Sequence, residues 1–343
     1  MRITLQQIAD RAGVSRGTVD RALKRRGRIN AEVAENIRQI AREMGYSPNR
    51  AGRALAIGRQ NLYLGVILQA ADTPFMQNVL RGVEDAGKEA EQLGIRVELR
   101  SNPDQNAQKT CAFMQELLTE ECQGLALIPV EDPQISAMIR SYHEKGIPVI
   151  TFNSDLQDSG RDCFIGPDAI RSGRTAAGLM AEILPEGACA AVISGYPHNE
   201  SHQNKVNGFG GELSCIRPDL QLLPVYYAYD NNIAAGRITE ELLENYGDKP
   251  LGIYLAAAGA EGVCAVLREC RQPGQVKVVS NDLTNANKQA LKEGYLQFLL
   301  GQDAYRQGYE PIMQLVNRLI DGTELPSEAQ YINIDIKNRY NLE

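Results

Sequence analysis

Long apolar runs are missing from this 343-residue chain, and none approaches the ~18–20 residues needed to span a bilayer. The start, MRITLQQIADRAG, carries a charge every few residues and no apolar stretch ahead of a small-residue cleavage site, which argues against a secretory signal. A cytoplasmic location without membrane association is therefore expected. Histidine is scarce: His143, His198 and His202 are the three. The last two share the loop HNESH, but no cysteine or third histidine lies nearby to complete a zinc site. The seven cysteines (Cys111, Cys122, Cys163, Cys189, Cys215, Cys264, Cys270) form no C-x-x-C pair and sit among apolar neighbours. That pattern reads as reduced, buried, small hydrophobes, so neither a metal nor a disulfide is expected. The signatures of catalysis are absent as well. The stretch LGVILQAADTPF has no G-x-G-x-x-G cluster, and neither a Walker lysine loop nor a G-x-S-x-G elbow occurs. No enzyme and no cofactor are expected.

What is present is an uneven distribution of charge. Residues 1–60 hold 13 basic and 5 acidic residues, a net +8, while the remainder holds 23 basic and 38 acidic, a net −15. A basic head on an acidic body is the electrostatic footprint of a nucleic-acid module joined to something else. The length predicts two or three domains, and 43% hydrophobic residues suffice for real cores.

The head has a legible pattern. Thr4 can cap a helix over Leu5–Ala12, with Gln7 completing a capping box and Leu5, Ile8, Ala9 and Ala12 on one face. Gly13 supplies the left-handed turn, Val14 can plug the core, and Ser15 caps a second helix, Arg16–Lys24, with Val19, Ala22 and Leu23 inward. A third helix runs from after Asn30 to about Met44, with Val33, Ile37, Ile40, Ala41 and Met44 on its apolar face. Two short helices around Ala12-Gly13-Val14-Ser15, packed on a third, make a helix-turn-helix whose second helix can enter a major groove. Arg16 and Arg21 lie where guanidinium forks can pair with guanine. Gly17 offers no side chain to a base. Asp20 either accepts from a cytosine amine or orients one of the arginines. The run Lys24, Arg25, Arg26 and Arg28 suits phosphate neutralisation and register.

From residue 61 short apolar runs alternate with amphipathic helices. The runs are Tyr63–Leu68, Arg96–Arg100, Gly124–Pro129, Pro148–Phe152, Cys163–Ile165, Cys189–Ser194, Leu222–Ala228, Leu251–Ala256, Val276–Ser280, Gln297–Leu300 and Ile332–Ile334. Helices such as Met76–Leu93, Ala107–Cys122, Gln134–Lys145 and Ile170–Leu184 fit between them. That alternation predicts βαβ units, two parallel sheets and two lobes.

The stretches TLQQIADRAGVSRGTVDRALKRRGRI and GYSPNRAGRALA resemble the lac repressor family of bacterial regulators. The family's second-helix pattern ends in T-V-S-R, whereas this chain has Thr18-Val19-Asp20-Arg21. The resemblance implies DNA contacts from Thr4, Ser15, Arg16, Gly17, Thr18, Asp20, Arg21, Arg28, Asn49 and Arg50. It also implies a hinge segment over 48–56 whose leucine, Leu55 by position, wedges between base steps in the minor groove. LGVILQAADTPFMQNVLRGVEDAGKEAEQLG, GLALIPVE and KGIPVITFNSD resemble the periplasmic sugar-binding proteins that such repressors share as a core. This implies an α/β body of the type I periplasmic-binding-protein fold: two Rossmann-like parallel-sheet lobes joined by three crossings, with the ligand between them.

The expected layout is an all-α headpiece over 1–47, a hinge over 48–60 and an effector domain over 61–343. Within that domain the N-lobe takes about 61–167 and 302–326, and the C-lobe about 168–301 and 327–343. The crossings are expected near Pro167–Asp168, Gln302 and Pro326. By position the cleft residues are Asp72, Phe75, Asn153, Asp155, Lys205, Tyr229, Asp230, Asp282 and Gln302, although an aspartate at a strand end can equally cap the next helix. Lys205 stands where the family commonly has arginine, and Ala257-Ala258-Gly259 where it often carries A-N-D.

The function so implied is a regulator, a repressor by resemblance, whose affinity for palindromic operator DNA is set by a sugar or sugar derivative. A sugar acid, phosphate or nucleoside is the alternative effector. Two half-sites call for a homodimer, and without an a/d heptad tail no zippered tetramer is expected.

Overall fold

The computed structural model describes residues 3–23, 29–46, 61–69, 73–104, 106–271 and 273–342. Its first three helices are α1 (Leu5–Ala12), α2 (Arg16–Leu23) and α3 (Ala31–Glu43). The Gln7 amide donates to Thr4 Oγ1 (3.3 Å) and the Thr4 amide to Gln7 Oε1 (2.8 Å), so two orphan donors of α1 are met reciprocally. Gly13 ends the helix at φ 66°, where a Cβ would be strained. The Thr18 amide donates to Ser15 Oγ at the start of α2, and Asn30 Oδ1 accepts from Glu32 and Val33 at the start of α3.

Ile8, Ala9, Val19, Ala22, Ala34, Ile37 and Ala41 form the headpiece core. Val33, expected on the buried stripe, is 38% exposed, and Ala34 takes its place. With 3.6 residues per turn, Ala34, Ile37 and Ala41 share one narrow face, and Val33, Ile40 and Met44 fall on its edge. Lys24, Arg25, Arg26 and Arg28 lie outside the described residues, as do Asn49, Arg50 and Leu55.

The body contains two six-stranded sheets. The first holds β1 (Tyr63–Gln69), β2 (Arg96–Asn102), β3 (Leu125–Leu127), β4 (Val149–Phe152), β5 (Cys163–Pro167) and β11 (Gln330–Ile332), in the order β11-β5-β4-β3-β1-β2. The second holds β6 (Cys189–Ser194), β7 (Gln221–Tyr227), β8 (Leu251–Leu255), β9 (Val276–Asn281), β10 (Phe298–Gly301) and β12 (Asp335–Lys337), in the order β12-β10-β9-β8-β6-β7. The two orders are the same plan repeated. All neighbours run parallel except β12, which is antiparallel to β10. Central β1 is buried along its whole length, as helices covering both faces of a parallel sheet demand, whereas edge strand β2 is exposed or half-buried at every position but Asn102.

Between the strands run α4 (Pro74–Gln92), α5 (Ala107–Thr119), α6 (Pro133–Glu144), α7 (Ala169–Ile183), α8 (Glu200–Ile216), α9 (Asn232–Tyr246), α10 (Ala260–Cys270), α11 (Asn285–Glu293) and α12 (Ala304–Asp321).

The chain passes between sheets after Pro167, after Gly301, and between Ile332 and Asp335. The third crossing was expected near Pro326, with a strand over Ile332–Ile334 in the second lobe. Instead Gln330–Ile332 pairs with Ile165–Pro167 in the first sheet, and Asp335–Lys337 pairs with the second. Residues 327–332 therefore stay with the first lobe. Edge strands are held by backbone hydrogen bonds, which leave little trace in a hydropathy pattern.

In each lobe the helix that arrives from a crossing packs on the helix that follows the lobe's first strand: α12 on α4, and α7 on α8. Both contacts are closed by glycines. A Cβ on Gly308 would stand 2.0 Å from the Val79 carbonyl, and one on Gly82 would stand 2.1 Å from that of Tyr305. Gly173 meets the Lys205 carbonyl at 2.0 Å, and Gly208 meets that of Ile170 at 2.2 Å. Only a hydrogen fits in those gaps.

Candidate functional site

Between the lobes lies a cleft walled by the carboxyl ends of strands from both sheets and by the first turns of α4 and α8, as expected of open α/β sheets. Phe75, Asn153, Lys205, Asp230, Asp282 and Gln302 line it together. Several strands end in residues with left-handed backbone: Asn153 (φ 63°), Asp230 (φ 57°) and Asp282 (φ 71°). Asn and Asp tolerate this region better than other non-glycine residues, and the turns direct these side chains at the cavity.

The charged floor comes from the second lobe. Lys205, on α8, is 5% exposed. Burial pushes its ammonium pKa down, and Asp282 and Asp230 oppose that shift. Burial likewise pushes both carboxyls up, with Lys205 pulling them back. Asp282 Oδ1 accepts from Gln302 Nε2 (2.6 Å), and Asp230 Oδ1 accepts from the Ala258 amide (3.2 Å). The network continues across the lobes: Gln307 Nε2 donates to the Gln302 carbonyl (2.6 Å), and Asn153 Nδ2 donates to Gln307 Oε1 (2.9 Å). A polar chain thus runs from β9 through the second crossing to the end of β4.

His202 joins the same floor. Its Nδ1 accepts from the Tyr196 amide (3.1 Å), and burial first, then nearby Lys205, pushes its pKa down to about 3. It is therefore a neutral imidazole carrying its proton on Nε2, a donor rather than a cation. A Cβ on Gly195 would strike both His202 (2.5 Å) and Asp230 Oδ1 (2.7 Å), so glycine there lets the two side chains approach one another.

Two expected cleft residues sit elsewhere. Asp155 is held in a bidentate pair by Arg161 and also accepts from Thr151 Oγ1 (2.7 Å) and the Leu156 amide (2.8 Å). It braces the loop after β4 and borders an adjoining hollow, not the cleft itself. Tyr229 is 52% exposed and packs edge-to-face on Tyr196 at 5.5 Å. Asp72 lies outside the described residues. Gln69, Thr73, Asn199, Ser201 and His202 also line the cleft, although no local pattern in the sequence marks them. In the sequence His202 offers only an incomplete zinc site. Gln69 ends β1, and its Oε1 is buried without a hydrogen-bond partner among the described residues.

On the headpiece, Thr4 and Ser15 act as caps. Ser15 and Thr18 share a hydroxyl hydrogen bond (2.9 Å), and Arg21 Nε donates to the Gly17 carbonyl (3.1 Å). Arg16, Gly17 and Arg21 are exposed, and Asp20 and Thr18 are half-buried.

A two-lobed, cleft-bearing body in one chain with a helix-turn-helix defines the class: a solute-binding fold coupled to a DNA-binding head. Residues 64–324 match the family described as "Periplasmic binding protein domain", and residues 4–49 match "Bacterial regulatory proteins, lacI family". The chain belongs to the periplasmic binding protein domain family and carries a lacI-family DNA-binding domain at its front.

It is 24% identical over 313 residues to the ribose operon repressor of Bacillus subtilis (strain 168), covering 90% of this chain and 89% of that one. It is 22% identical over 190 residues to the ribose import binding protein RbsB of the same organism, covering 55% of this chain and 60% of that protein. A solute-binding protein from Burkholderia graminis C4D1M, solved in complex with D-arabinose, has the same fold at TM-score 0.74 and 20% identity, over 82% of this chain and 96% of that one. No helix among the described residues is long and apolar enough to cross a membrane.

Proposed function

We propose that this chain is a cytoplasmic transcription regulator, not an enzyme. Its headpiece binds palindromic operator DNA as a homodimer, and its cleft binds a sugar or sugar derivative that changes operator affinity. The observation that carries this reading is the meeting of Lys205, Asp230, Asp282 and Gln302 in an interlobe cleft, on a chain whose α2 exposes Arg16 and Arg21. Carboxylates, an amide and an ammonium converging on one interlobe cleft suit a polyhydroxylated ligand, whose hydroxyls both donate and accept. Two carboxylates already answer the one lysine charge, which weighs against a sugar acid or phosphate.

On this reading residues 1–47 are the DNA module and 48–60 the hinge, with Arg28, Asn49, Arg50 and Leu55 completing the DNA contacts. Occupancy changes the lobe arrangement only to the extent that the ligand binds one arrangement better than the other. The polar chain Asp282–Gln302–Gln307–Asn153 supplies such a difference, because it joins the cleft floor to the opposite lobe.

The test has two arms. The purified protein is incubated with a randomised duplex pool, and recovered sequences should converge on a palindrome. In a thermal-shift panel of pentoses, hexoses, polyols, sugar acids and sugar phosphates, a ligand at ~100 times its dissociation constant should stabilise by ~2.7 kcal/mol. Asp282→Asn should weaken that ligand's binding about 10- to 100-fold. A pool that does not converge removes the DNA reading. A sugar phosphate as the tightest binder removes the charge argument.

A further inference from the structure

The cleft does not end at its charged floor. A second hollow opens beside it, and Asn153, Ser154 and Ser201 line both, so the two adjoin across these three residues. Phe164 and Tyr331 form one side, edge-to-face at 6.2 Å and 71°, with Tyr331 49% exposed. Glu200 and Asn204, from the first turns of α8, also line it, and Asn204 Nδ2 donates to Glu200 Oε1 over 3.4 Å. Asp155, locked by Arg161, and Asp168, which caps α7, complete the rim.

We propose that this hollow is a second sugar subsite, so that the effector is a disaccharide or glycoside with one ring over Lys205, Asp230 and Asp282 and the next against Phe164 and Tyr331. This rests on the carbohydrate reading above and narrows it. The chemistry is complementary to a sugar ring on two sides. Aromatic faces and edges accept its C–H surface, while the Glu200 carboxyl and Asn204 amide take its hydroxyls. Burial and the neighbouring Asp155 and Glu131 push the Glu200 carboxyl pKa up. An uncharged hydroxyl donor relieves that crowding, whereas an anionic group would add to it. The subsite also touches Pro167–Ala169 and Tyr331, residues at two of the three crossings. A ring seated there contacts residues of the first and third crossings, whereas a ring on the charged floor meets only the second, through Gln302.

Isothermal titration of the full chain tests this with D-ribose, D-glucose, D-galactose and D-xylose against maltose, cellobiose, lactose, melibiose and sucrose. A disaccharide should bind at least about tenfold more tightly than either of its constituent monosaccharides. Tyr331→Ala should remove about tenfold of that affinity, a change of ~1.4 kcal/mol, while leaving any monosaccharide affinity within about twofold. Asn204→Ala, on an independent element, should act in the same direction. A monosaccharide binding as tightly as any disaccharide overturns the second subsite and leaves the sugar-responsive regulator standing, as does a Tyr331→Ala loss that is equal for both sets. Silence from every sugar overturns the carbohydrate reading itself, and the subsite with it.

Discussion

His202 shows how burial decides what a titratable side chain does. An ordinary histidine near pH 6 is partly charged, but this one shares its pocket with Lys205 and stays neutral down to about pH 3. The sign of the linkage follows. The unfolded chain protonates at the ordinary histidine value and the folded chain does not, so the stability it contributes is complete above about pH 6.5. That contribution is lost as pH falls from there toward 3, by up to ~1.4 kcal/mol per pH unit. Asp230 and Asp282, raised by burial, have the opposite slope above the ordinary carboxylate value. The clean measurement is therefore the difference between wild type and His202→Asn in urea midpoint from pH 7 to pH 4. The gap should narrow steadily on acidification. A gap independent of pH would mean that His202 titrates normally and is not the enclosed neutral donor described here.

Among the elements, the paired glycine crossings position the site. Helix α8 carries His202 and Lys205 on the same segment whose Gly208 lies against the Ile170 carbonyl of α7. Gly208→Ala must push the two helices apart and should cost ~1–3 kcal/mol, seen as a lower urea midpoint at unchanged slope. Gly178, also on α7, meets nothing within 4 Å. Gly178→Ala should instead stabilise slightly, by ~0.5–1 kcal/mol, through helix propensity and a less flexible unfolded chain. If the two variants behaved alike, close approach would not be what requires glycine at 208. The capping at α1 belongs to this scale too, and it was fully legible beforehand, because Thr4, Gln7 and Gly13 interact only with near neighbours in the chain.

Across the whole molecule, the proposed sugar response would need a link between cleft and lobes, and a buried amide outside the cleft lining is placed to supply it. Gln307 is completely buried on α12, donates to the Gln302 carbonyl and accepts from Asn153. Gln307→Leu keeps the volume and removes both hydrogen bonds. It should leave sugar affinity within about fivefold but shrink the sugar-induced change in operator affinity by at least about fivefold, within the ~1–3 kcal/mol range of allosteric couplings. Operator titrations with and without the sugar, on wild type and variant, measure this directly. An undiminished response would place the coupling in some other contact between the lobes.

The sequence by itself determined the headpiece helices with their caps and the alternation of strand and helix, whereas Asn153, Lys205, Asp230, Asp282 and Gln302 were suggested as cleft residues by the family resemblance. The helices, caps and alternation depend on periodicity or on turn chemistry between residues close in the chain. Only the tertiary structure decided the rest. Asp155 was a reasonable cleft residue until Arg161 folded back onto it, and Tyr229 until Tyr196 drew it to the surface. The third crossing moved to 333–334 because backbone pairing at two sheet edges, and not a proline, sets where the chain changes lobe. Gln69, His202 and the hollow beside Tyr331 were invisible because their roles come from what stands opposite them. Gln69 meets Thr110 and Ile128, 41 and 59 residues on, and Tyr331 meets Phe164 from the far end of the chain, separations that no local pattern records.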